Sequence, residues 1–190
     1  MPGMSPKKKE RIASVKDLEK YRKLALDAGA SEARIINART VKIAQWVRQK
    51  CQYGCDGWGS SHCCPPFTPK PKETARVLAD YRRALLFAYR LQGAGASQKT
   101  SRRRRDFLLE LERTCFQDGH HKAFAYSCGP CGLCAACDTT RPCRKQEQAR
   151  PSMEACGIDV FATARANGIE MHVVRDEEDD YTFCYLLLID

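Results

Sequence analysis

The sequence contains no hydrophobic run long enough to span a membrane as a helix, which takes about 20 consecutive apolar residues. The apolar stretch Tyr185 to Ile189 has the length of a buried strand. Residues 1–10 are polar and basic without an apolar core, so we expect no export signal, a cytoplasmic protein and no membrane partner. No glycine-rich phosphate loop or dinucleotide fingerprint follows a predicted strand, so the usual signatures for ATP, NAD and FAD are absent.

The sequence also lacks the evenly spread basic residues of a dedicated nucleic-acid-binding domain. Its formal net charge is +9, and most of that excess comes from residues 7–11 and 99–105. The simpler interpretation is a disordered basic tail over residues 1–11 and a solvated helix start at the second segment. The alternative is a docking surface for an acidic redox partner or for RNA, with nucleic acid the weaker candidate.

Cysteine, in contrast, is abundant, with twelve in 190 residues. Without an export signal, the thiols belong in a reducing compartment. There, clustered cysteines bind metal or carry out redox chemistry more often than they form disulfides. Cys115 and Cys184 fall in apolar segments and are expected to be buried as small hydrophobic side chains.

The C-terminal cysteine group has a spacing suited to a metal cluster. Cys128, Cys131, Cys134 and Cys137 recur every third residue, and Cys143 follows. Such close neighbours rarely offer the Cα separation that a disulfide needs, but all can turn inward around one inorganic centre. An iron–sulfur cluster is favoured, with structural zinc and free or redox-active thiols as alternatives. Four positions and five thiols leave either Cys128 or Cys143 over.

The N-terminal group contains Cys51, Cys55, Cys63 and Cys64 in a segment rich in glycine and proline. Adjacent cysteines seldom bind the same cluster, because their side chains point apart. We therefore expect one of Cys63 and Cys64 to bind, and favour Cys64, which runs into a rigid Pro-Pro turn.

That count leaves the N-terminal site with three thiolates and an open question about its fourth ligand. An iron without a protein ligand could bind a sulfur atom or a small anion and polarise it. The candidates for the fourth position are Cys63, Cys128, Cys156, His62 and no protein group at all.

The fold class predicted from the sequence is α/β (α+β), a single domain over residues 12–190 with a mixed β-sheet flanked by helices and two cysteine-rich metal-binding loops. Apolar periodicity predicts the elements, although residues 41–50 fit no element clearly. The predicted helices cover residues 15–28, 72–81, 101–116 and 152–166, and the predicted strands cover residues 33–37, 84–91, 123–126, 169–174 and 182–189.

Three motifs occur in order along the chain: Cys51-x3-Cys55 with Tyr53-Gly54 and a following Cys64-Pro-Pro, then Gly129-Pro-Cys131-x-Leu-Cys134-x2-Cys137-x5-Cys143, then Arg150-Pro-Ser-Met-Glu-Ala-x-Gly157-Ile-Asp-Val. From about residue 30 onward the chain resembles the DUF2284 family, small proteins mainly of anaerobic bacteria and archaea that are described as predicted metal-binding. The resemblance implies metal binding and an anaerobic cytoplasm, and it brings no established reaction.

The family pattern carries over onto seven cysteines: Cys51, Cys55, Cys64, Cys131, Cys134, Cys137 and Cys143. Relative to it, Cys63, Cys128 and Cys156 are additional. With Cys128 included from the spacing argument, eight cysteines are the predicted metal ligands.

The main functional hypothesis is an iron–sulfur protein with two [4Fe–4S] clusters that transfers electrons to or from a partner enzyme. A second hypothesis is a cluster-dependent enzyme whose N-terminal site binds a sulfur-containing or anionic substrate at an open iron. The third is a zinc-stabilised module that binds nucleic acid.

Overall fold

The protein is described by a computed structural model over residues 15–92, 98–176 and 178–190. Within these ranges the chain forms five α-helices and one four-stranded sheet, which confirms the predicted α+β fold class. The predicted basic tail at residues 1–11 lies outside the described residues, and the domain boundaries remain a prediction. No helix in the described ranges is long and apolar enough to cross a membrane.

The elements follow one another as α1 (Val15–Asp27), β1 (Glu32–Asn37), α2 (Gln45–Gly54), α3 (Pro71–Ala79), β2 (Arg83–Leu91), α4 (Gln98–Gln117), β3 (Phe124–Tyr126), α5 (Val160–Ala166) and β4 (Tyr181–Leu188). Most of the cysteines of interest lie between these elements, in two long connections.

The sheet has the strand order β1-β2-β4-β3, and all three pairings are antiparallel, so the prediction of a mixed sheet was wrong within the described residues. The two central strands, β2 and β4, pair over eight positions, with Leu86 opposite Leu186. Both faces of these strands are covered, which explains why their sequences are continuous apolar runs instead of alternating ones.

Each face of the sheet has its own hydrophobic core. Helices α1 and α4 cover one face, where Leu18, Tyr21 and Leu108 are fully buried. The other face packs against α3, α5 and the segment before α5, where Met153 and Ile158 are fully buried. The second core is the one that supports the cysteine sites, because the chain leaves it directly into both cysteine-bearing connections.

The helix predicted over residues 152–166 is interrupted. A short 3₁₀ turn covers Glu154–Cys156, and α5 begins only at Val160, capped by the Asp159 side chain. Gly157 separates the two with a φ of +79°, a left-handed conformation that a continuous helix cannot contain. The apolar periodicity ran across this break and concealed it.

The strand predicted over residues 169–174 is also absent from the structure. Strand β4 already pairs with β2 on one side and β3 on the other, so the segment finds no free edge there. Ile169 and Met171 pack singly against the core, and Val173 is 70% exposed. The apolar and β-branched residues of this segment therefore make separate contacts with the core and do not form a strand.

Candidate metal centre

The C-terminal cysteine loop, residues 128–151, leaves and rejoins the fold at a single narrow neck. The backbone N–H of Ser127 donates to the carbonyl oxygen of Pro151 at 2.8 Å, and the N–H of Met153 donates to that of Ser127 at 3.1 Å. Ser127 and Ser152 form a parallel bridge at the same place. The ends of the loop are thus fixed by the core, while its interior has no regular secondary structure.

The N-terminal cysteine loop, residues 55–70, connects α2 to α3 and is held in place by hydrogen bonds to its neighbours. The guanidinium of Arg48 in α2 donates to the carbonyl oxygens of Pro66 at 3.3 Å and Pro69 at 3.1 Å. The hydroxyl of Thr68 donates to the carbonyl oxygen of Ala155 at 2.6 Å. The Arg48 bonds fasten the loop to α2, and the Thr68 bond fastens it to the turn that follows the neck. This turn therefore supports both cysteine loops.

Three thiols come together as the first thiol group: Cys51, Cys55 and Cys64. Cys51 lies on α2, a helix over a stretch that the sequence left unassigned, and Cys55 caps that helix one turn later. Burial raises the pKa of Cys51, and the neighbouring charges of Cys55, Glu154 and Cys64 raise it further. All three predicted ligands therefore lie near one another, with a carboxyl group beside them.

Gly57 lies against two of these sulfurs and has no side chain to displace them. A Cβ at Gly57 would lie 3.3 Å from Cys55 Sγ and 3.5 Å from Cys64 Sγ. The backbone N–H of Gly57 also points at Cys55 Sγ, at 3.3 Å. A backbone without a side chain and an amide aimed at a thiolate are features that suit a sulfur-ligated metal or cluster, since amide donors stabilise thiolate charge.

A second thiol group contains five cysteines: Cys63, Cys131, Cys134, Cys137 and Cys143. All five line one cavity of about 440 Å³. The Cys63 thiol donates a hydrogen bond to Cys131, which lowers the pKa of Cys131 and raises that of Cys63. Hydrogen bonding and nearby Arg105 and Lys145 thus favour the thiolate form that a metal requires.

Cys63 and Cys64 are neighbours in sequence but belong to different groups. Sequence reasoning left Cys63 as an alternative to Cys64 at the N-terminal site, whereas the structure places it beside Cys131 and Cys143. The signal was present in the sequence, since adjacent side chains point apart. The sequence could not show that the C-terminal cysteine loop lies next to Cys63, on the side of the Cys63–Cys64 peptide opposite to the first thiol group.

Cys128 stands apart from both groups, although it is one of the eight predicted ligands. It packs against the core formed with α1 and α4, and its electrostatic neighbours are Glu154, Cys184 and Arg104. Burial raises its pKa well above the usual value of a thiol. Its position favours a neutral, partly buried thiol at the edge of the site.

Of the two other candidates for the fourth ligand of the N-terminal site, His62 has other partners and Cys156 is buried in the core. The Nε2 of His62 lies 2.8 Å from the carbonyl oxygen of Arg141 and 3.1 Å from that of Asp138, so it carries the proton and ties the two loops together. Cys156 is fully buried in the core, and burial raises its pKa to about 12.

Glu154 is a residue that the sequence argument overlooked. Its Oε2 is buried without a hydrogen-bond partner, and burial raises the pKa of its carboxyl group. Its charge raises the pKa of four thiols around it, those of Cys51, Cys128, Cys156 and Cys184. Glu154 belongs to the third sequence motif, but in the sequence it reads as an ordinary residue of a first helical turn, and nothing local shows that it lies beside the thiols.

Within the described ranges, no three His, Cys, Asp or Glu side chains are close enough together to hold one metal ion. A tetrahedral zinc site brings its sulfurs to about 2.3 Å from a single ion. A cluster makes a different demand, since each thiolate binds its own iron.

Comparison with known proteins identifies a family for this chain. A family described as predicted metal-binding protein (DUF2284) matches residues 34–189, which include both thiol groups. No curated protein and no solved structure matches the chain.

Proposed function

The chain belongs to the DUF2284 family of predicted metal-binding proteins, and on this basis we propose that it is an iron–sulfur protein which transfers electrons to or from a partner enzyme. The first thiol group would hold one [4Fe–4S] cluster and the second thiol group another. Such clusters accept and release single electrons. The protein's own residues supply the thiolates, the amide donors and the cationic surroundings that set the potential.

One observation carries this proposal: the two thiol groups meet at the Cys63–Cys64 peptide bond. Cys64 lies beside Cys55 at Gly57, and Cys63 contacts Cys131. Consecutive residues thus face opposite sites, and a few covalent bonds separate the two sets of ligands. Two redox centres this close suit passage of an electron through the protein.

The surroundings of the second thiol group also support a cluster. The guanidinium of Arg105 donates to the carbonyl oxygen of Cys131, and Lys145 Nζ donates to that of Leu133 at 3.0 Å. These cations hold the loop backbone in place and offset the negative charge of several thiolates.

The first experiment measures iron, zinc and acid-labile sulfide in protein purified without oxygen, together with its EPR spectrum after reduction. We expect about eight irons and eight sulfides per chain, the content of two [4Fe–4S] clusters. One or two zinc ions without sulfide would contradict the proposal and would favour the zinc-stabilised nucleic-acid module.

Serine substitutions at one cysteine of each thiol group test the assignment of ligands to sites. We expect Cys131→Ser and Cys64→Ser each to lose about four irons, and to lose different EPR signals, because serine is a poor ligand for iron in a cluster. Cys115→Ala is the control, since Cys115 lies on α4, fully buried in the core and outside both thiol groups. Loss of the same signal in both serine variants would contradict two separate sites.

A second candidate function is favoured by the number of thiols in the first group. Three thiols meet there in the described part of the chain, next to the unpaired Oε2 of Glu154. A cluster-dependent enzyme would use such a site to bind a sulfur-containing or anionic substrate. Added 2-mercaptoethanol should then shift the EPR signal that Cys64→Ser removes and leave the other unchanged, whereas a fully ligated site would show no shift.

A further inference from the structure

A separate cavity of about 730 Å³ lies between the first turns of α4, the start of the C-terminal cysteine loop and strand β4. This volume falls within the range of about 300–1,000 Å³ that is common for small-molecule sites. Cys128 lines the cavity, but none of the cysteines of the two thiol groups does. The space is therefore a neighbour of the metal site and distinct from it.

The lining of this cavity is strongly cationic. Four of its side chains are basic and one is acidic, and the acidic one, Asp106, lies 3.9 Å from Arg102. A concave surface with an excess of one charge concentrates ligands of the opposite charge. The four basic residues are Arg102, Arg104, Arg105 and Lys145.

Arg104 is the residue that makes this cavity more than a charged surface. Its side chain was expected to be solvated at the start of a helix, but the residue is only 6% exposed. One terminal nitrogen donates to the Ser101 hydroxyl at 3.2 Å, while its Nε has no hydrogen-bond partner. The Nε of Arg105, in the next position, is buried and unpartnered as well.

Arg104 and Arg105 both line the cavity, and both are already held in position, Arg104 by the Ser101 hydroxyl and Arg105 by the carbonyl oxygen of Cys131. An oxyanion in the cavity would therefore meet two fixed cationic groups and offset the cost of burying their charge. Arginine is well suited to the task, because its planar fork matches carboxylate and phosphate geometry.

An apolar side of the cavity complements the basic one. The ring of Phe183 lies 4.7 Å from the guanidinium carbon of Arg104, and Tyr185 next to it is 3% exposed. Both aromatic residues line the cavity. Phe183 is partly exposed, so a ligand that places an anionic group on the arginines can rest an apolar or planar body against it, next to the buried Tyr185.

We propose that this cavity binds a small organic anion, with its carboxylate or phosphate on Arg104 and Arg105 and its apolar part against Phe183 and Tyr185. The site does not depend on the proposed electron-transfer function, because none of the thiols of the two groups lines it. It would give the protein a ligand or substrate site directly beside its second thiol group.

The test compares two probes of nearly the same shape, 2-naphthoate and the neutral 2-naphthamide, by isothermal titration calorimetry on the full chain purified without oxygen. We expect 2-naphthoate to bind with a dissociation constant of about 1 mM or lower, and 2-naphthamide to bind at least about tenfold more weakly. Equal binding of the two probes, or no binding of 2-naphthoate, would overturn the proposal.

Two pairs of variants locate the binding. Arg104→Met should weaken binding of 2-naphthoate at least about tenfold. Arg113→Met, on the same helix outside the cavity, should leave it unchanged. Gln148→Glu adds a negative charge to an exposed residue of the lining and should weaken binding, whereas Gln146→Glu adds the same charge outside it.

The glutamine pair decides the matter if Arg104→Met does not fold, because both glutamines are exposed and their substitution leaves the core intact. Equal affinity in Gln148→Glu and Gln146→Glu would place the probe elsewhere and contradict the proposal. Weakening confined to Gln148→Glu supports it.

Discussion

At the scale of single residues, Gly157 controls the turn on which both cysteine loops rest. Its φ is +79°, and a Cβ there would lie 2.5 Å from Cγ of Pro71. We expect Gly157→Ala to lower the free energy of unfolding by about 1–3 kcal/mol for backbone strain and by a similar amount for overpacking. Urea unfolding followed by circular dichroism measures the sum.

Gly168→Ala is the matched control for that substitution. Gly168 has a similar φ of +71°, but a Cβ added there would have no atom within 4 Å, so only the strain remains. The difference between the two variants isolates the contact with Pro71. Equal destabilisation by Gly157→Ala and Gly168→Ala would mean that Pro71 moves aside without a loss of stability.

The sequence predicted the candidate site best at the scale of single residues. The spacing of Cys51, Cys55 and Cys64 already grouped three thiols that the structure brings together. The position of Cys63 could not be predicted, because its neighbour Cys131 lies far away along the chain and only the folded loops bring them together. Local spacing carries information about local ligands, and a ligand from a distant loop requires the tertiary fold.

At the scale of elements, the ion pair between Glu112 and Arg150 joins α4 to the end of the C-terminal cysteine loop. Two bonds of 2.5 and 2.8 Å connect them, and both side chains are at most 15% exposed. We expect Arg150→Met to lower the free energy of unfolding by about 3 kcal/mol, because it leaves a buried carboxylate without its partner. Denaturant unfolding measures this loss.

The double variant Glu112→Gln, Arg150→Met should be more stable than Arg150→Met alone, since it removes the unpaired charge while keeping an acceptor for the backbone N–H of Ala125. Arg22→Met is the control, because the Arg22–Glu19 pair is exposed and worth about 0.5 kcal/mol or less. A double variant less stable than the single one would contradict this account.

Elements with strong periodicity were predicted from the sequence, and the interrupted ones were not. Helix α1 and strands β2 and β4 lie within two residues of their predicted bounds, because long apolar patterns specify them. The break at Gly157 was hidden, since an apolar stripe continues on both sides of it. Whether residues 169–174 pair as a strand depended on a free sheet edge, which no local pattern reports.

At the scale of the whole molecule, a well-packed sheet supports two loops with little packing of their own. Inside the C-terminal cysteine loop the fixed points are few, such as Lys145 on Leu133 and His62 on two carbonyl oxygens. If the loops depend on metal, removing it with a chelator under anaerobic conditions should loosen them and leave the sheet folded.

Limited digestion with trypsin checks this expectation. Cleavage after Arg144 and Lys145, which lie in the loop and are not followed by proline, should be about tenfold faster in metal-free protein, while Arg165 in α5 stays protected in both forms. The far-UV circular dichroism should change little. Identical digestion of both forms, or loss of the circular dichroism signal, would show that the loop does not depend on metal more than the sheet does.

The closed neck at Ser127 and Ser152 has a consequence for how this protein can change. The chain leaves and re-enters the fold at adjacent, hydrogen-bonded positions, so the segment between them can be replaced while the sheet stays the same. Its length and ligand spacing can vary without shifting any strand, since closing a somewhat longer loop costs only a fraction of a kcal/mol. Segments from different chains that keep Arg150 for its pair with Glu112 could therefore be exchanged at these two serines, giving the same sheet a different set of thiols.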